Sequence, residues 1–265
     1  MRRVSEYVKL SGVVNEDYVR IGQGSHVVLA VHGWFGSAHA WESLTPHLDG
    51  DRYSYVFVNC RGYGTRKNVP GEHTIAEAAG DVLELASSLG VDRFSLLGHS
   101  MGGSIAQWVY ADAPDRVRAL VGISPVPASG VPFDDQTWEL FASAAEKPAS
   151  RRAIIDFTTG HKHPDAWLDR LVRHSLEYSD KQAFADYLTA WAKTDFHERV
   201  EGAGVPVKVI VGENDPALGE DAMLATFAQW YPDLDLEVMA DAGHYAFEEI
   251  PVSVANSIEI FLDDH

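Results

Sequence analysis

Residues 98–102 read GHSMG, a serine between two glycines, where the apolar run FSLLG (94–98) gives way to a helical pattern. A serine used only for structure does not need those neighbours, but a nucleophile does. The chain must turn sharply from strand into helix, which forces Ser100 into a strained backbone conformation. Gly98 and Gly102, without side chains, let strand and helix approach closely enough for that turn. The helix start behind the serine carries unpaired N–H groups and a positive dipole end, suited to holding an oxyanion. Gly103 adds another small residue where the helix packs on the strand. The competing reading of the motif is a glycine-rich tight turn with no chemistry.

A serine hydroxyl is a weak nucleophile at neutral pH and needs a base, which in turn needs an orienting acid. With this strand–elbow–helix arrangement the chain order is Ser, acid, His. Of 12 histidines, only His244 and the terminal His265 follow the late apolar runs. His244 sits in AGHYAFEE, between a strand pattern and the last helix, so it is the expected base. The acid is expected at Asp215, in the ENDPAL loop after VKVIVG and pinned by Pro216. Glu213 is the nearest competitor, read as a solvated loop charge. The loop after ALVGIS (119–124) offers no carboxylate before Asp134. For the oxyanion, one N–H should come from Met101. The other should come from the HGWFG loop, with Trp34 as the donor and Phe35 as the fallback.

The elements that would carry these residues are legible as continuous apolar runs. Strands are expected at 27–31, 55–59, 94–98, 119–124, 207–212 and 234–239, and helices at 41–48, 74–89, 102–111, 223–230 and 252–262. Apolar strands separated by helices indicate a parallel sheet covered on both faces. From Pro125 to about Gly204 no strand pattern occurs, and aromatics are frequent. This segment reads as a helical subdomain with its own small core, as a helical lid over an apolar pocket, or as both at once. Phe35, Trp138, Phe141 and Trp191 are the aromatics expected to line that pocket. HKH at 161–163 lacks the nearby cysteine or carboxylate spacing of a metal site, so no metal is expected.

The chain has 265 residues, long enough for one large α/β domain. With 21 Lys plus Arg against 39 Asp plus Glu, its net charge of −18 argues against nucleic acid and anionic membranes as partners. The single cysteine, Cys60, excludes an internal disulfide, which suits a cytoplasmic location. The N-terminal MRRVSEYVKLSGVV lacks the apolar run of a signal peptide. The chain is expected to be a monomer or homodimer.

HGWFG, CRGYG, GHSMGG, the GENDP loop and AGHYAFEE together resemble the α/β-hydrolase superfamily, in particular its small cofactor-free esterases and lactonases. The resemblance implies an α/β fold with an eight-stranded, mostly parallel sheet and an inserted helical cap. The core would occupy 1–124 and 205–265 and the cap 125–204. It implies Ser100, Asp215 and His244 as the triad and Trp34 and Met101 as oxyanion donors, with no cofactor. The expected activity is hydrolysis of a carboxylic ester or lactone, and the aromatic-rich cap leans towards a neutral, apolar or aromatic substrate. The chain departs from the usual pattern at Asn59 and Cys60, where aspartate is common before R-G-x-G, and at Tyr63, where histidine is common. These changes are expected to alter loop packing more than chemistry. Two other readings stand beside this one. One is a cofactor-free oxygenase of the same fold, using a His–Asp pair on a heteroaromatic substrate. The other is a non-catalytic ligand receptor on the same scaffold.

Overall fold

The computed structural model describes Val13–Val14 and residues 18–265. The N-terminal stretch 1–12, expected above to lack a leader, lies outside the described residues. The strands are β1 (Val13–Val14), β2 (Tyr18–Ile21), β3 (His26–Val31), β4 (Tyr53–Val58), β5 (Phe94–His99), β6 (Val117–Ile123), β7 (Val207–Gly212) and β8 (Leu234–Met239). They form one sheet in the order β1-β2-β4-β3-β5-β6-β7-β8. All pairings from β4 through β8 are parallel, while β1 and β2 are antiparallel additions at one edge. The chain is therefore an α/β protein with a mostly parallel sheet flanked by helices.

Alternation along each strand divides the interior into two cores, because successive side chains leave opposite faces of a sheet. Leu29, Val31, Val56, Leu96 and Val209 pack on one face beneath α1 (Ile75–Ser88) and α2 (Met101–Asp112). Val28, Ala30, Phe57, Leu97 and Ile210 pack on the other, under Trp41 and α10 (Pro251–Asp263). Helix α1 starts where Thr74 accepts a hydrogen bond from the Glu77 N–H. It ends before Gly90, whose φ of 68° suits a residue without Cβ.

Four helices lie between β6 and β7: α3 (Asp135–Ser143), α4 (Pro148–Thr158), α5 (Asp165–Tyr178) and α6 (Lys181–Lys193). They do not enclose a separate core, contrary to the subdomain reading of this segment. Phe141, Ile154, Phe184 and Trp191 join the core on the α1–α2 side, and Ile155, Leu168 and Leu171 join the other. The buried Arg151 ties the four together. From α4 it donates to the Ala144 carbonyl and to the hydroxyls of Ser175 and Ser179, and it lies over the Phe184 ring at 3.7 Å.

Two expected helices differ. The 41–48 segment forms two short 3₁₀ turns, Ala38–Trp41 and Thr45–His47, with Pro46 inside the second, where it removes a helical donor. The 223–230 helix is split into α7 (Glu220–Ala225) and α8 (Phe227–Trp230) by Thr226, at φ −129° and ψ −84°. The remaining element, α9 (Ala246–Glu249), follows His244 directly. Among the described residues, no helix is long and apolar enough to cross a membrane.

Candidate active site

The parallel strands end at one edge of the sheet, and the loops leaving β3, β5, β7 and β8 meet there. Ser100 follows β5 at φ 53° and ψ −120°, a conformation that costs a non-glycine residue on the order of 1–3 kcal/mol. The neighbouring glycines explain how the turn closes. A Cβ on Gly98 would stand 2.4 Å from the Gly102 carbonyl oxygen, and one on Gly102 would stand 2.2 Å from that of Val31. A Cβ on Gly103 would lie 2.3 Å from Pro125, the second residue of the loop after β6.

His244 and Asp215 meet in a buried pair, with His244 Nδ1 2.7 Å from Asp215 Oδ2. The other carboxylate oxygen accepts the N–H groups of Ala217 at 3.0 Å and Leu218 at 3.1 Å. Burial pushes the Asp215 carboxyl up, but the charge and hydrogen bond of His244 and these two N–H groups outweigh it, so its pKa lies below the ordinary value. Glu213 instead accepts the Asp241 N–H on the exposed side of the loop. His265 packs on Phe261 at the end of α10.

The HGWFG loop is braced peptide by peptide. His32 Nδ1 lies 2.8 Å from the Gly33 carbonyl, and its Nε2 accepts the Cys60 N–H at 3.2 Å. This pattern assigns the proton to Nδ1, and burial holds the ring neutral by pushing its pKa down to about 4. The Gly33 carbonyl and the Trp34 N–H belong to the same planar peptide, so His32 sets the direction of that N–H. The Trp34 carbonyl accepts the Tyr63 hydroxyl at 2.9 Å, and its indole N–H donates to the Phe184 carbonyl at 2.7 Å. Trp34 also stacks on Phe184, with centroids 4.1 Å apart. Met101 is the first residue of α2, where an N–H has no intrahelical partner.

The departures at 59, 60 and 63 fall into place around this loop. Asn59 accepts the Ala38 N–H and donates to Thr65, joining two loops. Cys60 is buried, and its thiol is pushed up to about 12, which leaves it unreactive. Tyr63 does more than pack, since its hydroxyl fixes the peptide next to the expected oxyanion donor.

Ser100, His244 and Trp34 line one cavity of about 50 Å³. Phe35, Phe141 and Trp191 also line it. Trp138 does not. It lies one turn back on α3 and faces the Lys193 ammonium at 3.9 Å, a cation–π contact that holds it away from the cavity. Val126, Phe133, Ile154, Thr158, Leu218 and Tyr245 complete most of the wall and were missed. The aromatic density of the segment gave no sign of Ile154 or Thr158, which reach the cavity because α4 points its C-terminal end at the His244 loop. The two histidines of HKH are held by carboxylates, His161 by Asp156 and His163 by Glu249.

The sequence pattern of the family described as alpha/beta hydrolase fold matches residues 26–251. The chain belongs to this family. It is 29% identical over 94% of its length to the dihydrolipoyllysine-residue acetyltransferase component of an acetoin cleaving system from Cupriavidus necator, of which it spans 65%. It is 25% identical to an esterase of Escherichia coli K12, covering 89% of this chain and 93% of that one. A bromoperoxidase from Bacillus anthracis superposes with a TM-score of 0.82 at 20% identity, over 93% of this chain and 95% of that one. These names differ in activity, so the chemistry has to be argued from the site.

Proposed function

We propose that this member of the α/β hydrolase family is a serine hydrolase that cleaves carboxylic esters or lactones. Ser100 is the nucleophile, His244 the base and Asp215 the orienting acid. The observation that carries the reading is the buried 2.7 Å His244–Asp215 contact beside a cavity that His244 shares with the strained Ser100.

His244 takes the Ser100 proton on Nε2 as the hydroxyl oxygen attacks the carbonyl carbon. The N–H groups of Trp34 and Met101 hold the oxyanion of the tetrahedral intermediate. The intermediate collapses, the bond to the alcohol oxygen breaks, and His244 hands its proton to the leaving oxygen. Water, deprotonated by the same imidazole, then releases the acid and restores Ser100. Asp215 holds the tautomer with the proton on Nδ1 and stabilises the imidazolium. Helices α3–α6 serve as the cap, and the apolar wall favours a small, neutral acyl group in the cavity.

The oxygenase reading would place the acid after β6, where the chain carries Ser124-Pro125 and no carboxylate. The pairing of His244 with a residue after β7 supports hydrolysis over it. The test is labelling with a fluorophosphonate and peptide mapping, with turnover of p-nitrophenyl esters in parallel. A single adduct on Ser100, and a fall of roughly 10³-fold or more in Ser100→Ala, is expected. Unchanged turnover in that variant would sink the reading.

A further inference from the structure

Three consecutive N–H groups around the base are each captured by an acceptor outside the loop's own backbone. Gly243 N–H donates to Glu249 Oε2 and Tyr245 N–H to Glu249 Oε1, each at 3.0 Å. Between them, the His244 N–H donates to the Thr158 carbonyl at the end of α4, also at 3.0 Å. One carboxylate thus brackets His244, and the cap holds the residue itself. The Glu249 side chain is only 3% exposed. It folds back from the end of α9 to satisfy N–H groups at that helix's start, which are otherwise orphaned.

Glu249 is also tied to the cap. His163 Nε2, from the HKH stretch, lies 2.7 Å from Glu249 Oε2. The His163 ring stacks on Trp167 of α5 at 4.0 Å, and Trp167 meets Tyr245 edge-on at 6.0 Å. The fit leaves no slack at Gly243, where a Cβ would stand 2.6 Å from Thr159 Cα. The neighbouring Glu248 repeats the pattern, accepting Ser43 Oγ from the core and Arg170 from α5, both at 2.8 Å.

We propose that Glu249 is a positioning residue for His244, and that His163 makes its grip depend on the docked cap. The proposal rests on His244 being the base. A loop clamped at three successive peptides keeps the imidazole aligned between Asp215 and Ser100, and small misplacements of a catalytic group are expensive in rate.

The test compares wild type, Glu249→Gln, Glu249→Ala and His163→Gln. One readout is the split between kcat and KM on p-nitrophenyl acetate. The other is the downfield NMR signal of the His244 Nδ1 proton shared with Asp215, which needs no turnover. Glu249→Ala is expected to lower kcat by on the order of 10²-fold with little change in KM. His163→Gln should lower kcat in the same sense by less, and all three variants, Glu249→Gln included, should broaden or shift the proton signal. His163 is partly exposed, so its variant keeps the test open if Glu249→Ala does not fold. A sharp, unshifted signal in both His163→Gln and Glu249→Gln overturns the proposal, whatever the turnover. Absence of a Ser100 adduct in wild type would instead defeat the hydrolase reading, and the proton signal would still decide the clamp.

Discussion

Asp215 illustrates how much one buried side chain is asked to do. Its two oxygens are divided between the imidazole and the two N–H groups of its own loop. The carboxyl is held below its ordinary value of 3.8, so it is ionised at neutral pH. Its contribution to stability is present above that value and is lost as pH falls below it. Asp215→Asn keeps the shape but puts an amide where a charge was. On the proposed mechanism the expected result is a loss of about 10⁴-fold in kcat, with the fold retained, because the imidazole loses both its tautomer control and the charge opposite its protonated form. Steady-state kinetics beside circular dichroism checks this. A loss confined to KM would mean that Asp215 acts in binding and not on the base.

At the scale of elements, the elbow depends on missing side chains. Gly102→Ala would drive a Cβ into backbone, 2.2 Å from the Val31 carbonyl that leads into the HGWFG loop. A loss of about 3 kcal/mol or more in unfolding free energy is expected, since neither strand nor helix can retreat without breaking the sheet. Gly80, in the middle of α1, has nothing within 4 Å of its virtual Cβ. Gly80→Ala should therefore stabilise by roughly 0.5–1 kcal/mol. Urea unfolding of both variants measures the contrast, and equal effects would refute it. The same distinction explains what could be read in advance. The buried parallel strands and the elbow were legible because their signals are local: continuous apolar runs, and glycines at fixed offsets. The antiparallel β2 was not, since Tyr18–Ile21 is short and follows the polar Asn15, Glu16 and Asp17. The cavity was half legible for a related reason. Its aromatics stand out by type, but Thr158 and Glu249 each meet a partner 86 residues away along the chain, His244 for Thr158 and His163 for Glu249.

For the molecule as a whole, the buried histidines set the response to acid. His32 is wholly buried and held down to about 4, chiefly by burial. His99, in the elbow, is held well below its ordinary 6.5, again by burial first and then by His244, while its ring bonds the His244 carbonyl at 3.0 Å. Both stay neutral in the folded chain at pH values where the unfolded chain has already taken a proton. Their contribution is therefore complete above pH 6.5 and is lost as pH falls below it, down to about 4 for His32. Each extra proton bound by the unfolded chain tilts the balance by about 1.4 kcal/mol per pH unit, so two such groups steepen the loss to roughly 3 kcal/mol per pH unit. The net charge of −18 works the other way, because acid relieves the mutual repulsion of surface carboxylates. That repulsion is long-ranged and falls away as the screening length drops from about 8 Å in 0.15 M salt to about 3 Å in 1 M, whereas the cost of charging a buried imidazole does not. Thermal melts from neutral pH down to about pH 5 in the two salts separate the effects. The transition temperature should fall with acid in both series, and more steeply in high salt. A level or rising transition temperature in 1 M salt would mean that His32 and His99 accept protons inside the folded chain. The neutral ring that aims the Gly33–Trp34 peptide would then have to be abandoned with it.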